Sequence, residues 1–282
     1  MLLTGCRIGE TTVSRTGTTQ EAGPTLRVAT LNLAHGRGAT PARKLVSRAR
    51  AQANLAEAAA LLKRERIEIA AVQEVDAPSL WSGRFDHVAL LSSHGEYAHH
   101  FHGLHVTSAD SAGQLQYGTA ILSKTPLLDP ESLVFAAAPF GKSNWMGRKG
   151  LVLAEVKFMG RPIVVVSLHL DAFRRGTRLD HAEELIGFLR KCGAPLIVMG
   201  DFNCAWNDDS ALKRIAGALD LRAYQPESVE TLETYPADKP RKRIDWILIS
   251  KELRFVDYRT CGNVVSDHRA VFADVTWGDG SR

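Results

Sequence analysis

The chain closes six apolar runs on groups that can bind a cation or move a proton: Asn32, Glu74, His169 with Asp171, Asp201 with Asn203, Asp245, and Asp267 with His268. In "PLIVMGDFNCAW", residues 195–206, an apolar run turns at Gly200 and then presents Asp201 and Asn203 two residues apart. Gly, Asp and Asn are favoured in turns, so one such pair calls for nothing more. Six are harder to explain as caps. Several carboxylates brought close together cost heavily unless a cation offsets them. Carboxylate and amide oxygens, without thiolates or paired histidines, suit a hard cation, Mg²⁺ with Mn²⁺ as a substitute. Glu74 and Asp267 are the candidate direct ligands, with Asn32 and Asp201 adjacent. Such an ion neutralises charge building on a phosphoryl group and orients it for in-line attack.

These residues need strands to hold them. "LRVATLNLAHG" reads as a strand with Leu26, Val28 and Thr30 on one face and Asn32 in phase. An Ala- and Leu-rich helical stretch follows, and "IEIAAVQEVD" is a second strand carrying Glu74, a strand–helix–strand unit of the kind that builds parallel sheets. "RPIVVVSLHLDAF", the amphipathic "TRLDHAEELIGFLRK" and "PLIVMGDFN" repeat that grammar, with Leu179, Ala182, Leu185, Ile186 and Leu189 on one stripe. "QYGTAILSK", "GLVLAEVKFM", "RIDWILIS" and "AVFADVTW" are further strands. No linker separates the halves. We expect one α/β domain over residues 26–278 in which two mixed sheets pack face to face with helices outside.

The 282 residues carry a net charge of +4, which tilts toward anionic partners without the basic stripe of a dedicated nucleic-acid binder. No apolar run is long enough to span a membrane. Cys6, Cys192, Cys204 and Cys261 form no CxxC pair, which argues against a zinc site or a disulfide framework. Residues 1–25 read as a flexible tail. Within it Leu3-Thr4-Gly5-Cys6 resembles the lipobox of bacterial lipoproteins, although what precedes it is too short for a signal peptide. The alternatives are a cell-envelope lipoprotein whose true start lies upstream of Met1, or a chance match in a cytoplasmic protein. We expect a monomer.

"TLNLAHG", "AVQEVD", "YGTAILS", "SLHLD", "GDFN", "RIDWIL" and "SDHRAV" stand in the order and spacing of the endonuclease/exonuclease/phosphatase superfamily, which this chain resembles from Leu26 to Trp277. The resemblance implies a four-layer α/β/β/α sandwich and metal-dependent cleavage of a phosphoester. It also implies roles. Glu74 is similar to the principal metal ligand with Asn32 beside it, and Asp267 to a second carboxylate on the metal side. His169 is similar to the residue that contacts the scissile phosphate or the leaving group. Asp201 resembles the carboxylate that orients or deprotonates the attacking water, and Asn203 the amide that steadies it. Asp245 resembles the partner of the essential histidine, here His268. A carboxylate fixes the imidazole tautomer and stabilises its charged form.

Specificity belongs to loops. "FRRGTR" follows His169 and "KPRKRID" leads into Asp245, which nominates Arg174 and Arg243 as phosphate contacts. "HGEYAHHFHGLHV" holds five histidines but no single face for a metal cage; we expect a solvent-facing edge strand near the site mouth. The substrate stays open among nucleic acid, a phospholipid headgroup and a small phosphate ester. A reading of another class is a non-catalytic phosphate- or nucleic-acid-binding scaffold on the same fold.

Overall fold

The structure, a computed structural model, describes residues 23–39, 46–110, 113–137, 147–207, 210–227 and 232–278. The lipobox-like segment and Cys6 lie outside them.

In chain order the elements are β1 (Leu26–Asn32), α1 (Arg48–Arg64), β2 (Ile69–Asp76), α2 (His87–Gly95), β3 (His99–Asp110), β4 (Gly113–Ser123), β5 (Leu128–Val134) and β6 (Gly150–Phe158). They continue as β7 (Arg161–His169), α3 (Arg175–Leu189), β8 (Leu196–Asp201), α4 (Ala211–Ala218), β9 (Leu221–Ala223), β10 (Asp245–Ser250), β11 (Leu253–Thr260) and β12 (Val271–Trp277). One sheet has the order β11-β12-β1-β2-β4-β3 and the other β5-β6-β7-β8-β10-β9. The β1–β2 and β7–β8 pairs are parallel, each closed by a crossover helix, and the remaining pairs are antiparallel. Both sheets are therefore mixed.

Period-two alternation sorts the side chains into layers. Val28, Ile69, Ala71 and Ile121 of the first sheet meet Val152, Val165, Ile197, Met199 and Ile247 of the second in a central core. The alternate residues Ala29, Leu31, Ala70 and Val72 face outward onto Leu55, Leu62 and Leu91 of α1 and α2. Val164, Val166 and Val198 face outward onto Leu185, Leu189, Leu212 and Ile215 of α3 and α4. The expected helix–sheet–sheet–helix order follows. Of the stripe expected on α3, Ala182, Leu185, Ile186 and Leu189 are buried.

Near one end the central layer turns polar. Thr30 Oγ1 donates to Gln73 Oε1 at 3.3 Å, and Gln73 Nε2 donates across the gap to Ser167 Oγ at 3.1 Å. Ser167 Oγ in turn donates to Val72 O at 3.3 Å. All three side chains are fully buried, so these bonds satisfy groups that would otherwise be costly to bury, and they tie β2 to β7 directly beneath the functional end.

Candidate functional site

The inner-facing phase of each strand, followed past the polar seam, delivers a functional group. On β1 the series Val28, Thr30 ends at Asn32; on β7 Val165, Ser167 ends at His169; on β8 Ile197, Met199 ends at Asp201. Asp245 opens β10 in the same phase as Ile247. Asp201 lies in register with His169 on one side and with Asp245 on the other, so three groups stand in a row across three strands.

Glu74 needs a special device. On β2 the even positions Ala70 and Val72 face the helices, so a regular strand would aim residue 74 outward. A register shift between Gln73 and Val75 inserts Glu74 as a bulge at φ +53°, which re-aims its carboxylate toward the site. Gly118 of β4, which pairs with Val75 beside the bulge, packs closely on β3: a Cβ there would stand 1.8 Å from Gly103 O. Gly200 is required for the same reason, since a Cβ there would lie 2.1 Å from Leu168 O of β7.

Asp201 is the hub. Its Oδ2 accepts from Asn32 Nδ2 at 3.0 Å and lies 3.5 Å from His169 Nε2 and 3.8 Å from His268 Nε2; its Oδ1 accepts from Asn203 N at 2.9 Å. Asn203, at φ +52°, donates through Nδ2 to Leu170 O at 3.0 Å. His268 Nδ1 donates to Asp245 Oδ2 at 2.9 Å. The segment around Thr234 holds this pair in place. Thr234 Oγ1 accepts from Asp245 N at 3.3 Å and Thr234 O from Arg269 N at 2.8 Å, while Ala237 N donates to Asp267 O at 2.8 Å. The Tyr235 ring tilts against that of His268 at 4.8 Å between centroids.

The electrostatics divide the labour. Burial, reinforced by Asp245, outweighs His268 and the hydrogen bonds from Asn32 and Asn203, and pushes Asp201 up to about 7. For His268, burial favours the neutral ring, but Asp245 and Asp201 prevail and push it up to about 10. His169 is held well below the usual histidine range by burial and by Lys149. Burial would raise Glu74, yet His35, Lys149, His169 and Arg37 together hold it well below the ordinary carboxylate range. Asp267 is shifted upward, first by burial, against the pull of His268, with the charge of Glu74 adding to the rise. Neutral His169 thus accepts from Lys149 Nζ at Nδ1, 3.2 Å, and carries its proton on Nε2 toward Asp201.

Asn32, Glu74, His169, Asp201, Asn203, Asp245, Asp267 and His268 lie near one another at one end of the sandwich. Arg174 is exposed on the loop that Asp171 caps through Phe173 N. Arg243 is a correction. Only 7% exposed, it donates to Gln225 O at 2.9 Å and Tyr224 O at 2.8 Å and lies 3.8 Å over the Trp246 ring, so packing and backbone carbonyls consume the guanidinium expected on a phosphate. The histidine run needs a partial correction too. Strand β3 is the sheet edge, but His105 is buried against Gly150 and Thr119, and burial with Lys149 drives it down to about 3.

Several site residues escaped sequence reasoning. Lys149 Nζ lies 3.7 Å from Glu74 Oε1, His35 Nε2 3.4 Å from Glu74 Oε2, and an Arg37 nitrogen 3.9 Å from the same oxygen. His35 Nδ1 donates to Asp76 Oδ1 at 2.6 Å, Trp81 Nε1 donates to Asp76 Oδ2 at 2.6 Å, and the His35 ring stands 4.5 Å from Trp81 and 4.9 Å from Tyr117. The signal for His35 was its place, with Gly36, just past the end of β1. Lys149 precedes its strand and carries no periodic mark.

Over residues 29–268 the sequence matches the Endonuclease/Exonuclease/phosphatase family. The chain belongs to that family. Solved structures share its fold at low identity. An endonuclease/exonuclease/phosphatase from Bacteroides vulgatus is 18% identical with TM-score 0.69, covering 90% of this chain and 100% of that one. A mannosyl-6-phosphatase from Bacteroides thetaiotaomicron is 16% identical with TM-score 0.63, covering 89% and 100%. D. rerio TDP2 complexed with a single-strand DNA product is 17% identical with TM-score 0.62, covering 89% and 99%. No curated protein matches the sequence. Asp201, Asp245 and His268 present carboxylate and imidazole atoms within 4.8 Å of one another, a buried group with the spacing of metal ligands.

Proposed function

We propose that this chain is a divalent-metal-dependent hydrolase of a phosphoester, with Asp201 as the base that takes a proton from the attacking water. The observation that carries the reading is the state of Asp201: a buried carboxyl pushed up to about 7, at the centre of four polar contacts, has the proton affinity a base working near neutrality needs.

Two groups of residues compete for the metal. Protonated His268 already donates to Asp245 and has no lone pair to offer, so the Asp201–Asp245–His268 group is better used as a proton-handling unit. Glu74 and Asp267 fit an ion better. Glu74 is ionised, with Lys149 and Arg37 nitrogens at 3.7 and 3.9 Å, and Asp267, shifted upward first by burial, faces the Glu74 charge, which adds to the rise. The oxygen donors Glu74 and Asp267, with Asn32 adjacent, suit Mg²⁺ or Mn²⁺. Bound there, the ion would supply charge neutralisation at the phosphoryl oxygens.

The chain's own residues do the rest. Asn203 and Asp201 orient a water in line with phosphorus, and Asp201 accepts its proton as the new P–O bond forms. The bond to the leaving oxygen breaks with its electron pair on that oxygen, and the proton held by Asp201 is released to balance the alkoxide. His268 and Lys149 place positive charge beside the phosphoryl oxygens, where it grows in value as water is excluded. His169 donates from Nε2, and Arg174 holds ground-state phosphate.

Turnover of a chromogenic phosphoester should vanish in EDTA and return with Mg²⁺ or Mn²⁺. A scaffold protein would turn over no phosphoester under any metal.

A further inference from the structure

We infer that His102, from the histidine run on β3, is a positioning residue that holds the Glu74 bulge in shape for its ion; the inference rests on the reading of Glu74 as a metal ligand. The bulge needs support from outside its own strand. Gln73 pairs with Thr119 and Val75 with Gly118, which leaves Glu74 between them without a partner on β4. At the same level β3 carries a bulge of its own. Leu104 pairs with Gly118 and Val106 with Tyr117, and the residue left over is the buried His105. Strand β4 is thus flanked by two inserted residues, one the candidate ligand and the other an imidazole.

Two rings of β3 hold the residues on either side of Glu74. His102 reaches across β4 and donates from Nε2 to Val75 O at 3.3 Å, the carbonyl of the residue that follows Glu74. His105 Nε2 lies 3.4 Å from Thr119 Oγ1, on the residue that pairs with Gln73, which precedes Glu74. Thr119 Oγ1 is also 3.4 Å from Ser167 O of β7, so that side of the bulge is fixed to the second sheet. The side held by His102 has no such tie, which makes the bond to Val75 O the one that sets how the bulge leaves β4. Burial lowers the pKa of His102, so the ring works as a neutral donor and brings no charge against a cation. Its Nε2 is spent on the carbonyl, which fits support of a ligand and not ligation. Groups that orient a ligand in this way are commonly worth about ten- to a hundredfold in metal affinity.

The test titrates the full chain with Mn²⁺ and follows the free ion by electron paramagnetic resonance. His102→Leu keeps the bulk and removes the donor, and should weaken binding by about tenfold or more. His102→Gln puts an amide nitrogen where Nε2 stood and should recover most of the affinity, whereas His102→Asn, too short to reach Val75 O, should not. That Gln–Asn comparison decides the matter if the leucine variant fails to fold. His94→Ala takes an exposed histidine from the same run and should leave the titration as it is. Turnover of a chromogenic phosphoester by His102→Leu should fall at low Mn²⁺ and return at saturating Mn²⁺. Wild-type Mn²⁺ affinity in both His102→Leu and His102→Asn, or a loss of turnover that saturating metal leaves unrepaired, would overturn the positioning role. A wild type that binds no Mn²⁺ would instead strike the reading of Glu74 as a ligand. Hydrogen exchange of the metal-free chain then reads the support: faster amides over residues 73–77 in His102→Leu but not in His102→Gln uphold it, and wild-type rates in both overturn it.

Discussion

Lys149 Nζ lies 3.2 Å from His169 Nδ1 and 3.7 Å from Glu74 Oε1, so one buried ammonium from the second sheet contacts a carboxylate carried by the first. It fixes the His169 tautomer and balances Glu74 at once. Replacing it by methionine keeps the bulk and removes both effects. Lys149→Met should lower kcat by about a hundredfold, the usual cost of losing one preorganised charge donor. The His169 ring should also titrate closer to the ordinary histidine range, read by NMR. An unchanged His169 titration would show that the contact has no influence on the ring.

The pH dependence follows from the two shifted groups. Asp201 must be ionised to accept a proton, so kcat/KM should fall as pH drops below about 7. His268 must be protonated to act as a cation, so kcat/KM should fall again above about 10. A profile measured at saturating metal checks both limbs. An acid limb near the ordinary aspartate value would remove Asp201 as the base.

Asp201→Asn should cut turnover by orders of magnitude while making the protein more stable. The folded-state pKa of Asp201 is raised, so its stabilising share is present below the unfolded value and is lost as pH rises through about 7. Ionised Asp201 is thus a burden at pH 8 and none at pH 4. The variant should melt about 2–4 °C above wild type at pH 8 for each kcal/mol relieved, with the gap closing at low pH. Calorimetry at the two pH values separates this from a general packing effect.

Glu74→Gln should weaken apparent Mg²⁺ affinity in an activity titration while leaving the far-ultraviolet circular dichroism unchanged. An identical metal titration would take Glu74 out of the proposed ligand set.

Gly118→Ala should destabilise the fold by about 2–4 kcal/mol, because its Cβ would enter the space of Gly103 O and force β3 away from β4. It should also weaken metal dependence, since Gly118 pairs with Val75 beside the Glu74 bulge. Urea denaturation and a metal titration on the same sample read the two effects.

The layers were legible because strands buried on both faces read as apolar runs, and the inner phase of β1 could be followed from Leu26 to Asn32. The polar ends of those runs identified the site. Other features leave no such trace. β5 is largely exposed and spells "LDPESLV" with no alternation, and β9 has 3 residues, too few for a period. The Glu74 bulge is a matter of register with β4, a relation between strands that one strand's sequence does not carry. Arg243 looked like a surface cation because it sits in a charge run; Trp246 and two carbonyls from a distant loop bury it. Lys149 and His35 gain their roles only when the chain around them closes on Glu74.

The buried link from Gln73 to Ser167, with those from Asn32 to Asp201 and from Lys149 to Glu74, resists gliding of the two β-layers over one another. Glu74 rides on the layer of Gln73, and Asp201 and Asp245 on the layer of Ser167, so a slip of a fraction of an ångström would part ion and base while every strand stayed paired. Mild denaturant should accordingly silence the chemistry well before circular dichroism records any loss of secondary structure, and Gln73→Leu should widen the interval between the two events.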